Sequence, residues 1–191
     1  TLFPYTTLFR SDTFVIGTVG RLAAEKAQGL LIAAVGKLLG EDAARPLCLL
    51  IAGDGAEREA LERAAAPFGG RVRLLGARRD VPRVLQAFDV FCLSSRTEGL
   101  PLVIPEAMAM GLPVVSTAVG GIPSVVSEGE TGSLVPPGEV DALAAALRRL
   151  VQDPALGRRQ GEAGRTRALA RYSLERMVSE YEAVYLRLLG G

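Results

Sequence analysis

From Phe14 onward, short continuous apolar runs alternate with longer segments whose apolar positions recur every three or four residues. FVIGTVG (14–20), LCLLIAG (47–53), RVRLLG (71–76), VFCLSS (90–95), PVVST (113–117) and GSLVPP (132–137) read as strands. They are apolar along their length, as strands of a parallel sheet covered on both faces must be; a strand with one wet face would alternate. Between them, QGLLIAAVGKLLG (28–40), AEREALERAAAPF (56–68) and VPRVLQAF (81–88) have helical period. The second helix should stop at Pro67 and the Gly69–Gly70 pair, and Asp80 suits the N-cap of the third. GGIPSVV (120–126) opens a further short helix. This order predicts βαβ units in an α/β, doubly wound, mostly parallel sheet of about six strands.

After Pro137 the pattern is purely helical, as DALAAALRRLVQ, ALGRRQGEAGRTRALARY and SLERMVSEYEAVYLRLL. In the last of these, Leu174, Met177, Val178, Tyr181, Val184, Tyr185 and Leu188 form one apolar face that seeks a partner. Residues 1–11, TLFPYTTLFRS, have neither period and read as a leader foreign to the fold, resembling a translated sequencing adapter. The domain is therefore set at 12–191, a length that suits one core.

Composition narrows the chemistry. With 22 Lys plus Arg against 21 Asp plus Glu, the net charge of +1 gives no overall field for nucleic acid, so anion binding must come from local placement. The chain has no histidine, which removes Ser-His-Asp triads, imidazole bases and histidine metal sites. Cys48 and Cys92 lie inside apolar runs without CxxC spacing and read as small buried hydrophobes of a reducing compartment. No apolar stretch approaches the ~20 residues of a membrane span. A cytoplasmic protein is the default expectation.

Ligands of an open parallel sheet bind beyond the carboxyl ends of its strands. After the first strand comes GRLAAEK, where Arg21 offers a planar fork and Lys26 a mobile point charge to phosphate oxygens. Taken alone, this pair reads more readily as solvated surface charge. After the fourth strand comes RTEGLPLVIPEAMAMGLP (96–113), with Glu98 and Glu106 separated by seven residues. Ser94, Ser95 and Thr97 are small polar groups at the strand end, Gly99 permits close approach, and Pro101 suits the first helical position. Pro105 is tolerable only in or next to the first turn. Glu98 then precedes the helix and Glu106 lies about one turn in, so both can face one crevice and accept hydrogen bonds from sugar diols. Glu98 is also explained by the helix dipole, but Glu106 stands among apolar neighbours where Ala or Leu would pack better. The Gly120–Gly121 pair is another place where backbone can approach a phosphate, though alone it is more often a turn. GDGAER (53–58) begins like a dinucleotide fingerprint but lacks its third glycine and the ribose-binding acid, and no P-loop occurs.

GRLAAEK, LLIAGDG, VFCLSS joined to RTEGLPLVIPEAMAMGLPVVST, VGGIPSVV, TGSLVPP and YSLERMVSEYEAVY, in this order, resemble the C-terminal half of glycosyltransferase family 4. The resemblance covers Phe14 to Leu189. It implies a Rossmann-like half of a GT-B fold with C-terminal helices, in a retaining enzyme whose donor is a nucleotide-diphosphate sugar and which needs no metal. It assigns the donor diphosphate to Arg21 and Lys26, the sugar hydroxyls to Glu98 and the ribose diol to Glu106. Gly20 and the amides of Gly99, Leu100 and Leu102 would complete the phosphate cradle, and Gly76 and Ala77 would lie near the base. The sequence departs from the family's habit at Ala27, where glycine often follows the lysine, and at Ser124, where glutamate is frequent.

The resemblance further implies that an N-terminal domain, absent here, binds the acceptor, which is a sugar, lipid or glycan. The isolated chain is then expected to bind donor weakly and not to transfer sugar, and the full-length enzyme to be cytoplasmic and peripheral to the inner membrane. Two other readings stay open, a stand-alone nucleotide-sugar binding module and half of a GT-B-type nucleotide-sugar epimerase.

Overall fold

The computed structural model describes residues 13–41 and 46–189. The proposed leader, 1–11, lies outside them. The chain forms β1 (Phe14–Val19), α1 (Gln28–Glu41), β2 (Leu47–Ala52), α2 (Arg58–Ala65), β3 (Val72–Gly76), α3 (Val81–Leu85) and β4 (Val90–Leu93). There follow α4 (Val103–Ala109), β5 (Val114–Thr117), α5 (Ile122–Val125), β6 (Gly132–Val135), α6 (Val140–Gln152), α7 (Pro154–Arg171) and α8 (Leu174–Leu189). The six strands form one sheet in the order β3-β2-β1-β4-β5-β6. Every pairing is parallel. The expected architecture is thus present.

Alternate side chains of the strands feed two separate cores. Ile16, Leu49, Ile51, Val90 and Cys92 pack under α1, α2 and α6. Val15, Cys48, Leu50, Phe91 and Leu93 pack under α3, α4, α5 and α7. The chain winds outward from β1 to β3, then returns to place β4 on β1's other side, so the direction of winding reverses between them. That seam is held by the pairs Ile16 with Val90 and Gly17 with Phe91. Gly17 is required there, because a Cβ on it would lie 2.1 Å from the Phe88 ring.

Several boundaries differ from expectation. Asp80 occupies the N-cap position of α3, but its side chain makes no cap bond. Its carboxylate is instead taken by Arg78 through Nε at 2.9 Å and Nη2 at 2.7 Å, and that guanidinium holds the Asp80 carboxyl below the usual carboxylate range. Helix α4 begins at Val103, two residues after Pro101, so Pro101 lies outside the helix and not at its first position. Pro105 is the third residue of α4, within the first turn, where its lost N–H matters little.

Helix α7 straps the second face. Gly161 lets it approach so closely that a Cβ there would lie 2.0 Å from the Gly111 carbonyl oxygen. Arg165 donates to the Ala109 carbonyl and Arg167 to those of Ser124 and Val125, so the C-terminal ends of α4 and α5 are both tied down. In contrast α8 buries nothing, and Leu174, Tyr181, Tyr185 and Leu188 are all exposed. Its apolar face is the one the sequence pattern predicts.

Candidate functional site

The reversal between β1 and β4 brings together the two loops that carry the candidate residues, because each loop leaves the carboxyl end of one of these neighbours. In the first loop, Lys26 ends a 3-10 turn, Ala24–Lys26. Gln28 closes the loop by donating from Nε2 to the Arg21 carbonyl at 2.8 Å. The Ser94 hydroxyl, at the end of β4, spans the Lys26 and Ala27 carbonyls at 3.2 and 3.1 Å, and the Arg96 amide donates to the Glu25 carbonyl at 2.7 Å. The two loops are therefore one hydrogen-bonded unit.

At its centre Lys26 Nζ donates to both carboxylate oxygens of Glu98, at 2.6 and 2.8 Å. Ser95 Oγ donates to Glu98 Oε1 at 2.6 Å. The Glu98 side chain is only 7% exposed and that of Lys26 21%, so the pair is substantially withdrawn from water. Thr117, at the end of β5, donates to the Ser95 carbonyl at 2.6 Å and fixes the serine in turn.

Four crowded glycines hold these loops from below. A Cβ on Gly53 would lie 1.8 Å from the Gly20 oxygen, and one on Gly55 2.3 Å from the Leu22 oxygen. The GDGAER segment is thus a buttress for the β1 loop, with Gly20 and Leu22 donating to Ala52 and Asp54 carbonyls. Gly120 and Gly121 play the same part under the β4 loop. A Cβ on Gly120, where φ is +55°, would lie 1.8 Å from the Glu98 oxygen, and the Gly121 amide donates to the Gly99 carbonyl at 2.7 Å. The close approach read into this glycine pair is real, but the visitor is the Glu98–Gly99 backbone.

Gly20 and Gly99 are of the opposite kind. A Cβ on either would meet nothing within 4 Å, and neither has a positive φ. The fold itself does not demand glycine at these two positions, so both are free for a ligand to approach the backbone. The amides of Gly99, Leu100 and Leu102 donate to no other described residue. Leu100 and Leu102 expose their side chains, at 52% and 71%.

The other candidates lie around this centre. Arg21 is solvent-exposed and paired with Glu25 at 2.5 Å, in contact with neither Glu98 nor Glu106. Glu106 is exposed on α4, contrary to the expectation of a charge embedded among apolar groups. The reason is helical geometry: Ile104, Ala107 and Met108 take the buried face, and Glu106 lies on the opposite, solvent side of the helix. Its carboxylate has no hydrogen-bond partner among the described residues. Gly76 ends β3 with φ +71°, its carbonyl accepting from the Gly53 amide at 2.8 Å, and Ala77 beside it is exposed. The chain leads from there into α3, on the same sheet face as α4. Gln28 and Thr117 gave no signal in the sequence, because both act on backbone carbonyls that only the fold brings near.

Residues 13–153 match the family described as glycosyl transferases group 1. The chain is 36% identical over 173 residues to the lipopolysaccharide core biosynthesis glycosyltransferase LpsE of Rhizobium meliloti, covering 90% of this chain and 49% of the relative. A sucrose-phosphate synthase from Thermosynechococcus elongatus superposes with a TM-score of 0.87 at 31% identity, over 97% of this chain and 48% of that one. The structure of Anabaena HepE in complex with UDP and glucose superposes with a TM-score of 0.83 at 26% identity, over 91% and 48%. The chain belongs to the group 1 glycosyl transferases, and its sheet and helices are one Rossmann-like half of the GT-B architecture. It spans about half the length of these relatives. Among the described residues no helix is long and apolar enough to cross a membrane.

Proposed function

We propose that this chain is the donor-binding, C-terminal half of a retaining family 4 glycosyltransferase, taking a nucleotide-diphosphate sugar into the cleft between the β1 and β4 loops. The observation that carries this reading is the placement of Lys26 against Glu98 at the winding reversal, in a loop whose Gly99, Leu100 and Leu102 amides are unpaired among the described residues. A diphosphate lying over the open faces of Gly20 and Gly99 meets those amides, Lys26 and, by a swing of its exposed side chain, Arg21. Glu98 accepts from sugar hydroxyls, Glu106 from the ribose diol, and the base reaches Gly76 and Ala77. When the glycosidic bond breaks, charge gathers on the leaving diphosphate, and these fixed donors stabilise it without the help of a metal ion. The UDP and glucose held by the HepE structure support such a donor.

Acceptor binding is assigned to the portion of such proteins that this chain does not span. The isolated chain accordingly binds donor without transferring sugar, and the complete enzyme transfers it with retained configuration. Calorimetric titration with UDP-, GDP- and ADP-glucose, with and without EDTA, tests the assignment. Binding is expected for one base, insensitive to EDTA, and lost in Lys26→Met. Glu106→Ala should weaken nucleoside diphosphate and sugar nucleotide alike, by about tenfold for a lost charge-assisted bond. Because its side chain is exposed, the same change should leave the melting temperature unaltered. Absence of binding to all three sugars, or sugar turnover by this chain alone, would overturn the reading.

A further inference from the structure

We propose that Glu98 acts as a built-in competitor for Lys26, and that this competition makes the site favour sugar-bearing donor over bare diphosphate. The inference rests on the donor-site reading and extends it to the discrimination between substrate and product. Both oxygens of Glu98 receive Lys26 Nζ, and Ser95 adds a third hydrogen bond. The ammonium that should meet phosphate is therefore already engaged, and the carboxylate that engages it is 7% exposed.

A diphosphate can claim Lys26 only by drawing it away from Glu98. The carboxylate is then left with Ser95 alone, in a position nearly closed to water, and an unpaired charge of that kind is strongly unfavourable. A sugar attached to the diphosphate removes the difficulty, since its hydroxyls donate to the oxygens that Lys26 vacates. A diphosphate without sugar offers no such replacement. After transfer, Glu98 recaptures Lys26 and the leaving diphosphate loses its cation. Ser95 is the positioning residue: pinned by Thr117, it keeps the carboxylate in place while Lys26 changes partner.

Inorganic pyrophosphate carries the anionic part with neither base nor sugar and is the direct probe. Glu98→Gln keeps the shape and the Ser95 acceptor but releases Lys26, so pyrophosphate should bind on the order of tenfold tighter than to the wild type. The gain should vanish in the Lys26→Met, Glu98→Gln double variant. The preference for UDP-, GDP- or ADP-glucose over the corresponding diphosphate should collapse in Glu98→Gln. Thermal melts report the pair without ligand: each single variant should melt below the double variant, in which no charge is stranded. Equal or weaker pyrophosphate binding by Glu98→Gln overturns the proposal. Tighter pyrophosphate binding with no binding of any sugar nucleotide supports the competition and instead overturns the donor assignment. No binding of pyrophosphate or sugar nucleotide to any variant overturns both.

Discussion

Gly120 stands directly beneath Glu98, its Cα so placed that a methyl group on it would lie 1.8 Å from the Glu98 carbonyl oxygen. The atom it would strike is backbone, so the strain cannot be relieved by turning a side chain, and the left-handed φ of +55° adds to it. Gly120→Ala should therefore push the β4 loop upward and lower the melting temperature by about 4–8 °C, as a loss of roughly 2 kcal/mol does in a domain of this size. Sugar nucleotide and bare diphosphate should become harder to tell apart in the calorimeter. An unchanged melting point would show that the loop has slack.

Gly53 and Gly20 offer a contrast within one contact. Gly53→Ala collides with the Gly20 carbonyl and should destabilise the fold, whereas Gly20→Ala enters open space at an ordinary φ and should change stability by only about 0.5–1 kcal/mol. Binding should respond in the opposite sense, with Gly20→Ala filling the cradle and weakening pyrophosphate. Thermal melts and titrations on the two variants check the pair of expectations. Equal melting losses would contradict the division of glycines into buttress and cradle.

Ala27 is the one described non-glycine residue with positive φ, at 49°, with ψ 37°. An L-residue with a Cβ is strained there by about 1–2 kcal/mol, part of which is offset by the unfolded-state entropy that glycine forfeits. Ala27→Gly should thus raise the melting temperature by about 2 °C. The strain sits directly beside Lys26, at one of the two positions where the resemblance leads one to expect another residue.

Burial pushes the Cys48 thiol up to about 12 and also raises that of Cys92. Both thiols should resist iodoacetamide at pH 8.5 in the folded chain and react on unfolding. Between an ordinary thiol's titration near 9.0 and about 12, folded Cys48 keeps a proton that the unfolded chain has lost. Stability contributed by the neutral thiol is therefore complete below pH 9.0 and declines as pH rises through that window. Urea midpoints from pH 8 to 10.5 should fall more steeply in the wild type than in Cys48→Ala.

The sheet was legible because parallel strands buried on both faces leave uninterrupted apolar runs, which LCLLIA and VFCL display. The alternation of elements likewise announces a doubly wound sheet, but not the strand order that sets β4 beside β1. Less was legible at the site. Glu106 seemed embedded because its sequence neighbours are apolar, but neighbours in sequence lie on different sides of a helix, and the period, not the adjacency, decides exposure. The glycines of GDGAER and VGGIP announce a close backbone approach without saying whether the visitor is a phosphate or another loop. Asp80 looked like a cap because no local rule records that Arg78 claims its carboxylate first. The Lys26–Glu98 contact joins residues 72 positions apart, and only the order of strands makes it.

The absent side chain of Gly17, filled by the Phe88 ring, has a reach beyond its own strand. Lys26 lies in the loop that follows β1 and Glu98 in the loop that follows β4, and the spacing between the two loops is set where these strands meet. Any bulkier residue at that point would act as a wedge driven into a hinge, opening the jaws at the far end without touching them. The grip of the cleft is thus governed from the middle of the sheet, by an atom that is missing there.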